Sequence, residues 1–282
     1  MSFWRKRKME EAPISLGYDI CLLSDIGCVR SVNQDSGRFV DPTDSKVRAT
    51  KGTMVVVADG VGGHQAGEVA SKLAVDAITQ SYYSDAGEPN ASLVKACKLA
   101  NREIHERASQ DEALNGMGTT CVILALINGQ ARACHVGDSR LYLIRDDHAY
   151  LMTQDDSAVM ELVKQGILTL GEARHHAEKN IILRALGTHP EVDVTVWEEP
   201  LPIRPNDTFL LCSDGLTDMV EDDEIQQLVA SGEVQNACRN LVDLAKKRGG
   251  PDNITVALVR VKSQEAGEPR ATREAHALEP EA

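Results

Sequence analysis

Thr119-Thr120-Cys121-Val122-Ile123-Leu124-Ala125-Leu126-Ile127-Asn128-Gly129-Gln130-Ala131-Arg132-Ala133-Cys134-His135-Val136-Gly137-Asp138 is the stretch on which the fold turns. Residues 119–127 are rich in β-branched and aliphatic side chains. Residues 130–136 form a second such run, and Asn128-Gly129 separates the two. Both turn residues tolerate positive φ, so the stretch predicts a tight β-hairpin. Residues 141–144 predict another strand directly after it. Outward from this hairpin, short apolar runs at 20–24, 54–58, 209–212 and 254–261 predict buried strands. Helical faces appear elsewhere. Val69, Leu73 and Ala77 line up with Ala70, Ala74 and Ile78. Leu93, Cys97, Ala100 and Ile104 form a second face, and Val234, Ala237, Cys238, Leu241 and Leu244 a third. Strands and helices come in blocks rather than as repeated strand-helix units. An α+β sandwich is expected, not a doubly wound parallel sheet.

The 282 residues carry a formal charge of −13, which disfavours nucleic acid and anionic membrane as partners. A hydrophobic fraction of 42% suffices for a sizeable core. The seven cysteines are scattered with no Cys-x-x-Cys pair, so neither a zinc site nor a disulfide framework is expected. No apolar run reaches membrane-spanning length, and no apolar segment follows Arg5-Lys6-Arg7-Lys8 as in a secretory signal. A cytoplasmic protein is expected. Residues 1–16 read as a flexible basic arm. Residues 263–282, with five glutamates and one large aliphatic residue, read as a disordered acidic tail.

Aspartates fall at strand ends. Asp59 follows residues 54–58, Asp138 follows the hairpin, Asp214 follows residues 209–212, Asp252 precedes residues 254–261, and Asp35 precedes another short strand. One such residue is ordinarily a turn former or helix cap. Several, most beside glycine, invite another account. If their strands share a sheet edge, the carboxylates converge and raise one another's pKa. Hard divalent cations relieve that conflict, and magnesium and manganese prefer oxygen donors. The glycine turn Asp59-Gly60-Val61-Gly62-Gly63-His64 is neither a Walker loop nor a dinucleotide fingerprint.

Six motifs then occur in order: Asp25-x-Gly27-x-x-Arg30-x-x-Asn33-Gln34-Asp35, Asp59-Gly60-Val61-Gly62-Gly63-His64, Gly116-x-Gly118-Thr119-Thr120, Val136-Gly137-Asp138-Ser139-Arg140, Ser213-Asp214-Gly215-Leu216 and Asp252-Asn253-Ile254-Thr255. Together they resemble the metal-dependent type 2C (PPM-type) serine/threonine protein phosphatases in their bacterial form, over residues 17–262. The resemblance implies a four-layer α-β-β-α sandwich, two central antiparallel sheets flanked by helices. It implies two manganese or magnesium ions, with a third in bacterial members. Asp59, Asp214 and Asp252 are then expected to ligate one ion. Asp59 and the Gly60 carbonyl are expected to hold the second, with Asp35 close through water, and Asp138 to serve the third. Arg30 is expected to grip the substrate phosphate and His64 to protonate the leaving alkoxide. A hydroxide bridging two ions about 4 Å apart is the expected nucleophile.

Two departures stand out. Asp155-Asp156-Ser157 stands where many relatives carry Asp-His-Ser, and Gln34 where some carry glutamate. Residues 166–184, with Asn180 and Arg184, match the flap beside the family's site. Ordinary readings stand beside these. Arg30 alone is a surface ion pair, His64 a turn residue, and His135 a sheet-face residue. His175-His176 reads as an exposed loop pair. Asp155 and Asp156 are helix-starting residues, Asp222-Asp223-Glu224 an acidic first helical turn, and Thr119 and Thr120 packing residues. The expected partners are phosphoserine and phosphothreonine proteins and a cognate bacterial kinase, with the chain a monomer. An inactive pseudophosphatase that binds phosphoproteins is the alternative. A second enzymatic rival acts on small phosphomonoesters or phosphotyrosine; for phosphotyrosine a deep aromatic pocket is expected, at which 4% aromatics does not hint.

Overall fold

Strand β3 (Thr53–Val61) shows how the layers arise. Val55 and Val57 point into one apolar cluster, while Met54, Val56 and Ala58 point into another. A period of two with both faces apolar places a strand between two cores. The computed structural model describes residues 15–62, 66–230, 232–264 and 273–276. Its chain runs β1 (Ser15–Asp25), β2 (Asp35–Asp41), α1 (Ser45–Lys51), β3, α2 (Ala66–Ser84), α3 (Pro89–Gln110), β4 (Gly118–Thr119), β5 (Cys121–Ile127), β6 (Gln130–Val136), β7 (Arg140–Arg145) and β8 (His148–Leu151). It continues through α4 (Ala158–Lys164), α5 (Leu170–Arg174), β9 (Thr195–Val196), β10 (Leu201–Pro202), β11 (Thr208–Cys212), α6 (Asp214–Thr217), α7 (Asp222–Ala230), α8 (Val234–Lys247), β12 (Ile254–Gln264) and β13 (Arg273–His276).

Two antiparallel sheets result. One has the order β1-β12-β11-β7-β8, the other β10-β6-β5-β3-β2-β13, with β4 on β3 and β9 on β6. Leu22, Val55, Leu124, Leu141, Phe209 and Val259 fill the space between the sheets. Outside the second sheet, α2 and α3 pack Ala70, Ile78, Leu93 and Cys97 against Met54 and Val56. Outside the first, α7 and α8 pack Ile225, Val229, Leu241 and Ala245 against Leu210 and Val256. The expected α-β-β-α sandwich is the fold found. Asn128 and Gly129 sit at φ 50° and 77°, and Ile127 pairs with Gln130 across them, as the primed hairpin turn requires.

Three local features differ from the expectation. Asp59 does not end β3. The strand exchanges its partner from β5 to β4, where Gly60 faces Thr119 and Val61 faces Gly118, and so runs two residues further. The segment 166–184 carries a short helix, α5, whose capping box pairs Thr169 with Glu172. Within the stretch read as an acidic tail, β13 pairs with β2. The first two tail residues end β12 and pair with Ser15 and Leu16 of β1, from the stretch read as a flexible arm; residues 1–14, 265–272 and 277–282 lie outside the described residues. Among those described, no helix is long and apolar enough to cross a membrane.

Candidate active site

The connections at one end of the two sheets carry the aspartates. β2 begins at Asp35, and Asp35 lies directly opposite Asp59 on β3. The Gly137-Asp138-Ser139 link crosses from β6 in one sheet to β7 in the other. Asp214 opens α6 after β11, and Asp252 immediately precedes Asn253 and β12. Arg30 lies in the loop between β1 and β2.

Like charges on facing strands destabilise a sheet unless something compensates them. Here Asp59 feels Asp35, Asp214, Asp138 and Asp252, and burial with these neighbours lifts its carboxyl well above the usual range. Burial lifts Asp214 likewise, with Asp138, Asp218, Asp252 and Asp35 adding to it. Asp35 is pushed up to about 6, mainly by burial, against hydrogen bonds from Thr255 and Ser213. Asp138 is pushed up to about 7, by burial first and Asp155 next. Asp35 Oδ1 and Asp214 Oδ1 are buried with no hydrogen-bond partner. A buried oxygen without a donor costs roughly 1–3 kcal/mol. These orphaned oxygens and the all-oxygen donor set fit hard divalent cations. Among the described residues, no three histidine, cysteine, aspartate or glutamate side chains close into a ready-made cage. A partly hydrated ion needs none, since magnesium usually keeps several waters.

The supporting frame is specific. Ser213 Oγ donates to Asp35 Oδ2 at 2.7 Å and accepts from the Thr255 amide at 3.0 Å. Asn253 accepts from the Gln34 amide at 2.8 Å and donates to the Ile26 and Val32 carbonyls at 2.9 and 3.0 Å. One asparagine thus ties the Asp252 loop to the Arg30 loop. Thr119 Oγ1 and the Thr120 amide both donate to the Asp59 carbonyl at 2.8 Å, and Thr120 Oγ1 accepts from the Asp59 amide at 3.0 Å. The two threonines therefore fix the Asp59 backbone as well as packing. At Gly60 a Cβ would sit 2.1 Å from the Gly67 carbonyl oxygen, so the close approach of β3 to α2 requires glycine.

Arg30 Nη2 donates to Asp252 Oδ2 at 2.7 Å, while Asp252 Oδ1 accepts from the Asn253 amide at 2.8 Å. That hydrogen bond to Asp252 comes first among the causes raising the Arg30 pKa, and the charges of Asp59 and Asp214 add to it. The Arg30 side chain remains 48% exposed at the rim. Gly63, His64 and Gln65 lie outside the described residues, so the expectation for His64 does too. His135 Nε2 donates to the Gln154 carbonyl at 2.9 Å and is buried, as a sheet-face residue would be.

Asp155 and Asp156 are not helix starters. Ser157 caps α4 instead. Asp155 takes a two-pronged ion pair from Arg140, with Nε at 3.0 Å and Nη2 at 2.7 Å. Asp156 Oδ2 accepts from the Gly137 amide at 3.0 Å, and Oδ1 pairs with Arg184. Both carboxylates clamp the crossover that carries Asp138, and both pairings span chain distances that no local pattern encodes. Asp218 escaped the sequence reading. It stands four residues after Asp214 on one helical turn, pairs with Lys179 of the 166–184 segment at 2.5 Å, and lines a cavity of about 140 Å3 with Asp138, Asn180 and Asp214. The i, i+4 spacing was the available signal.

Sandwich, acidic end and arginine rim together define a class of phosphoester hydrolase, and comparisons with known proteins agree. A family model described as Protein phosphatase 2C matches residues 30–249. The chain belongs to the protein phosphatase 2C family. Protein phosphatase PhpP of Streptococcus pneumoniae D39 is 38% identical over 253 residues, which cover 88% of this chain and 99% of PhpP. The crystal structure of the Mycobacterium tuberculosis serine/threonine phosphatase PstP/Ppp superposes with a TM-score of 0.77 at 36% identity, covering 87% of this chain and 99% of that one. A structure of the PstP catalytic domain in complex with two manganese ions gives 0.76 at 36% identity, covering 88% and 100%. These relatives are named as phosphatases, and the inactive, phosphoprotein-binding alternative finds no support among them.

Proposed function

We propose that this phosphatase hydrolyses phosphoserine and phosphothreonine esters of proteins with bound manganese or magnesium. One observation carries the reading: Asp35 Oδ1 and Asp214 Oδ1 are buried and unpartnered within a group of carboxyls that raise one another's pKa. Asp59, Asp214 and Asp252 would hold one ion, Asp59 and the Gly60 carbonyl the second with Asp35 alongside, and Asp138 a third. Divalent cations there supply Lewis acidity and an acidified water as nucleophile. Arg30 offers planar paired donors to two phosphate oxygens, which requires that it share or leave Asp252. His64 is the proposed acid for the leaving alkoxide, since an imidazole titrates near neutrality. Asn253, Ser213 and the two threonines keep the carboxylates in register. Residues 17–262 form the proposed catalytic unit, to whose second sheet β13 adds an edge strand. A phosphoprotein kinase supplies the proposed substrates, and the chain is proposed to act as a cytoplasmic monomer. Phosphate release from a phosphothreonine peptide tests the function. Turnover with manganese that vanishes on chelation and in Asp214→Asn is expected; turnover without metal would refute it.

A further inference from the structure

Five of the seven cysteines have clear reasons to be inert or to stand alone. Cys97, Cys121 and Cys134 cluster at 3.7–4.0 Å but are fully buried between α3 and its sheet, and Cys212 is buried in the other core. Cys28 is exposed, and its sulfur donates to the Lys246 backbone carbonyl at 3.7 Å. The remaining two form a pair. Cys21 lies on the edge strand β1, half-buried, and faces α8. Cys238 lies on α8, buried, and its Sγ donates to the Cys21 carbonyl oxygen at 3.6 Å, so the two cysteines lie against each other where α8 packs on β1.

We propose that Cys21 and Cys238 are a modification site, a dithiol that a peroxide oxidant converts reversibly to a disulfide joining β1 to α8. The arrangement has the parts such a site requires: a solvent-reachable attacking sulfur, a second sulfur held against the same residue, and a cation, Arg239, whose charge acts on Cys21. The hydrogen bond from Cys238, with Arg239 adding to it, holds the Cys21 thiol below its ordinary value despite burial. The Cys21 thiolate attacks one peroxide oxygen, an S–O bond forms, the O–O bond breaks and hydroxide leaves. Cys238 sulfur then displaces the sulfenic oxygen, the S–S bond forms, and its proton leaves with that oxygen as water. Two electrons pass from the sulfurs to the peroxide. A cellular thiol pool reverses the step by exchange, as expected of a cytosolic disulfide that is transient.

The bond would tether the frame of the site. Lys246, further along α8, pairs with Asp25 at the end of β1 at 2.7 Å, and the chain after α8 reaches Gly250, whose carbonyl accepts from the Cys28 amide at 2.8 Å. This proposal does not depend on the phosphatase reading, and its test needs no activity. The full-length protein, reduced and desalted, is exposed to hydrogen peroxide and mapped by mass spectrometry without reductant. The expected result is a loss of about 2 Da, a cross-linked Cys21–Cys238 peptide, and its disappearance with dithiothreitol. Cys238→Ser is expected to leave a sulfenic acid at Cys21 that dimedone captures, and Cys21→Ser to give no cross-link. Unreacted Cys21 in the wild type, a Cys21 sulfenic acid with no cross-link there, or a linkage through any other cysteine would overturn the proposal.

Discussion

At the scale of single residues, a carboxylate kept in this site works against folding until a cation arrives. Asp35 has one oxygen held by Ser213 and one with no donor. Asp35→Asn removes a charge that faces Asp59 and feels Asp252. The cation-free variant is therefore expected to be more stable than wild type at pH 7.5, by an amount of order 1 kcal/mol, while its manganese affinity falls. Urea denaturation with chelator, set beside a manganese titration, separates the two effects; a variant less stable without metal would contradict the account. Ser213→Ala acts the other way. It strips a donor from the same buried carboxylate and from the Thr255 amide its acceptor, and is expected to cost roughly 1–3 kcal/mol. The chemistry-bearing residue types at this scale stood in the sequence, because strand ends and glycines mark where backbone and ligand approach. The helpers were less legible. Ser213 and Asn253 lie inside quoted motifs, yet their partners lie 178 and 219 residues away in the chain.

At the scale of elements, the crossover between β6 and β7 and the 166–184 segment are joined through Asp156. Its carboxylate meets the Gly137 amide and Arg184, and its backbone bonds both Gly137 and Leu183. Asp156→Ala leaves a buried amide and a partly exposed guanidinium without their acceptor, and is expected to destabilise by about 2 kcal/mol. Asp156→Asn keeps an acceptor for Gly137 and is expected to lose less. Thermal unfolding of both, with manganese activation curves, checks the order; equal loss in the two would show that only the charge matters. The hairpin and the helical faces were readable because their rules are local: φ at Asn128 and Gly129, and apolar spacing along α2, α3 and α8. The extension of β3 past Asp59 was not, because it depends on β4, two residues distant in sequence from β5 but paired further along the strand.

At the scale of the whole molecule, the converged carboxyls set how stability follows pH. Asp35 and Asp138 titrate at about 6 and about 7 when folded, against about 4 for an ordinary aspartate. A raised carboxyl binds its proton more tightly in the folded state. The cation-free protein should therefore lose stability as pH rises from about 4 through 7. Glu224, held at about 2 chiefly by Arg248, works in the opposite sense and is lost as pH falls below about 4. Thermal midpoints with chelator are expected to fall between pH 5 and 7.5, and manganese to restore more at pH 7.5 than at pH 5. A flat profile would contradict the assignment. An α+β sandwich was legible from strands and helices that come in blocks, and its α-β-β-α layering from the resemblance, while the strand order within each sheet came only with the tertiary fold.

The measurement closest to the central claim is a calorimetric manganese titration of wild type and Asp59→Asn at pH 7.0, repeated in buffers of different ionisation enthalpy. Binding that expels protons, and that weakens at least tenfold in the variant, is the result expected of carboxyls lifted by burial and by one another. Manganese bound equally well by both proteins, or bound without release of protons, would contradict it.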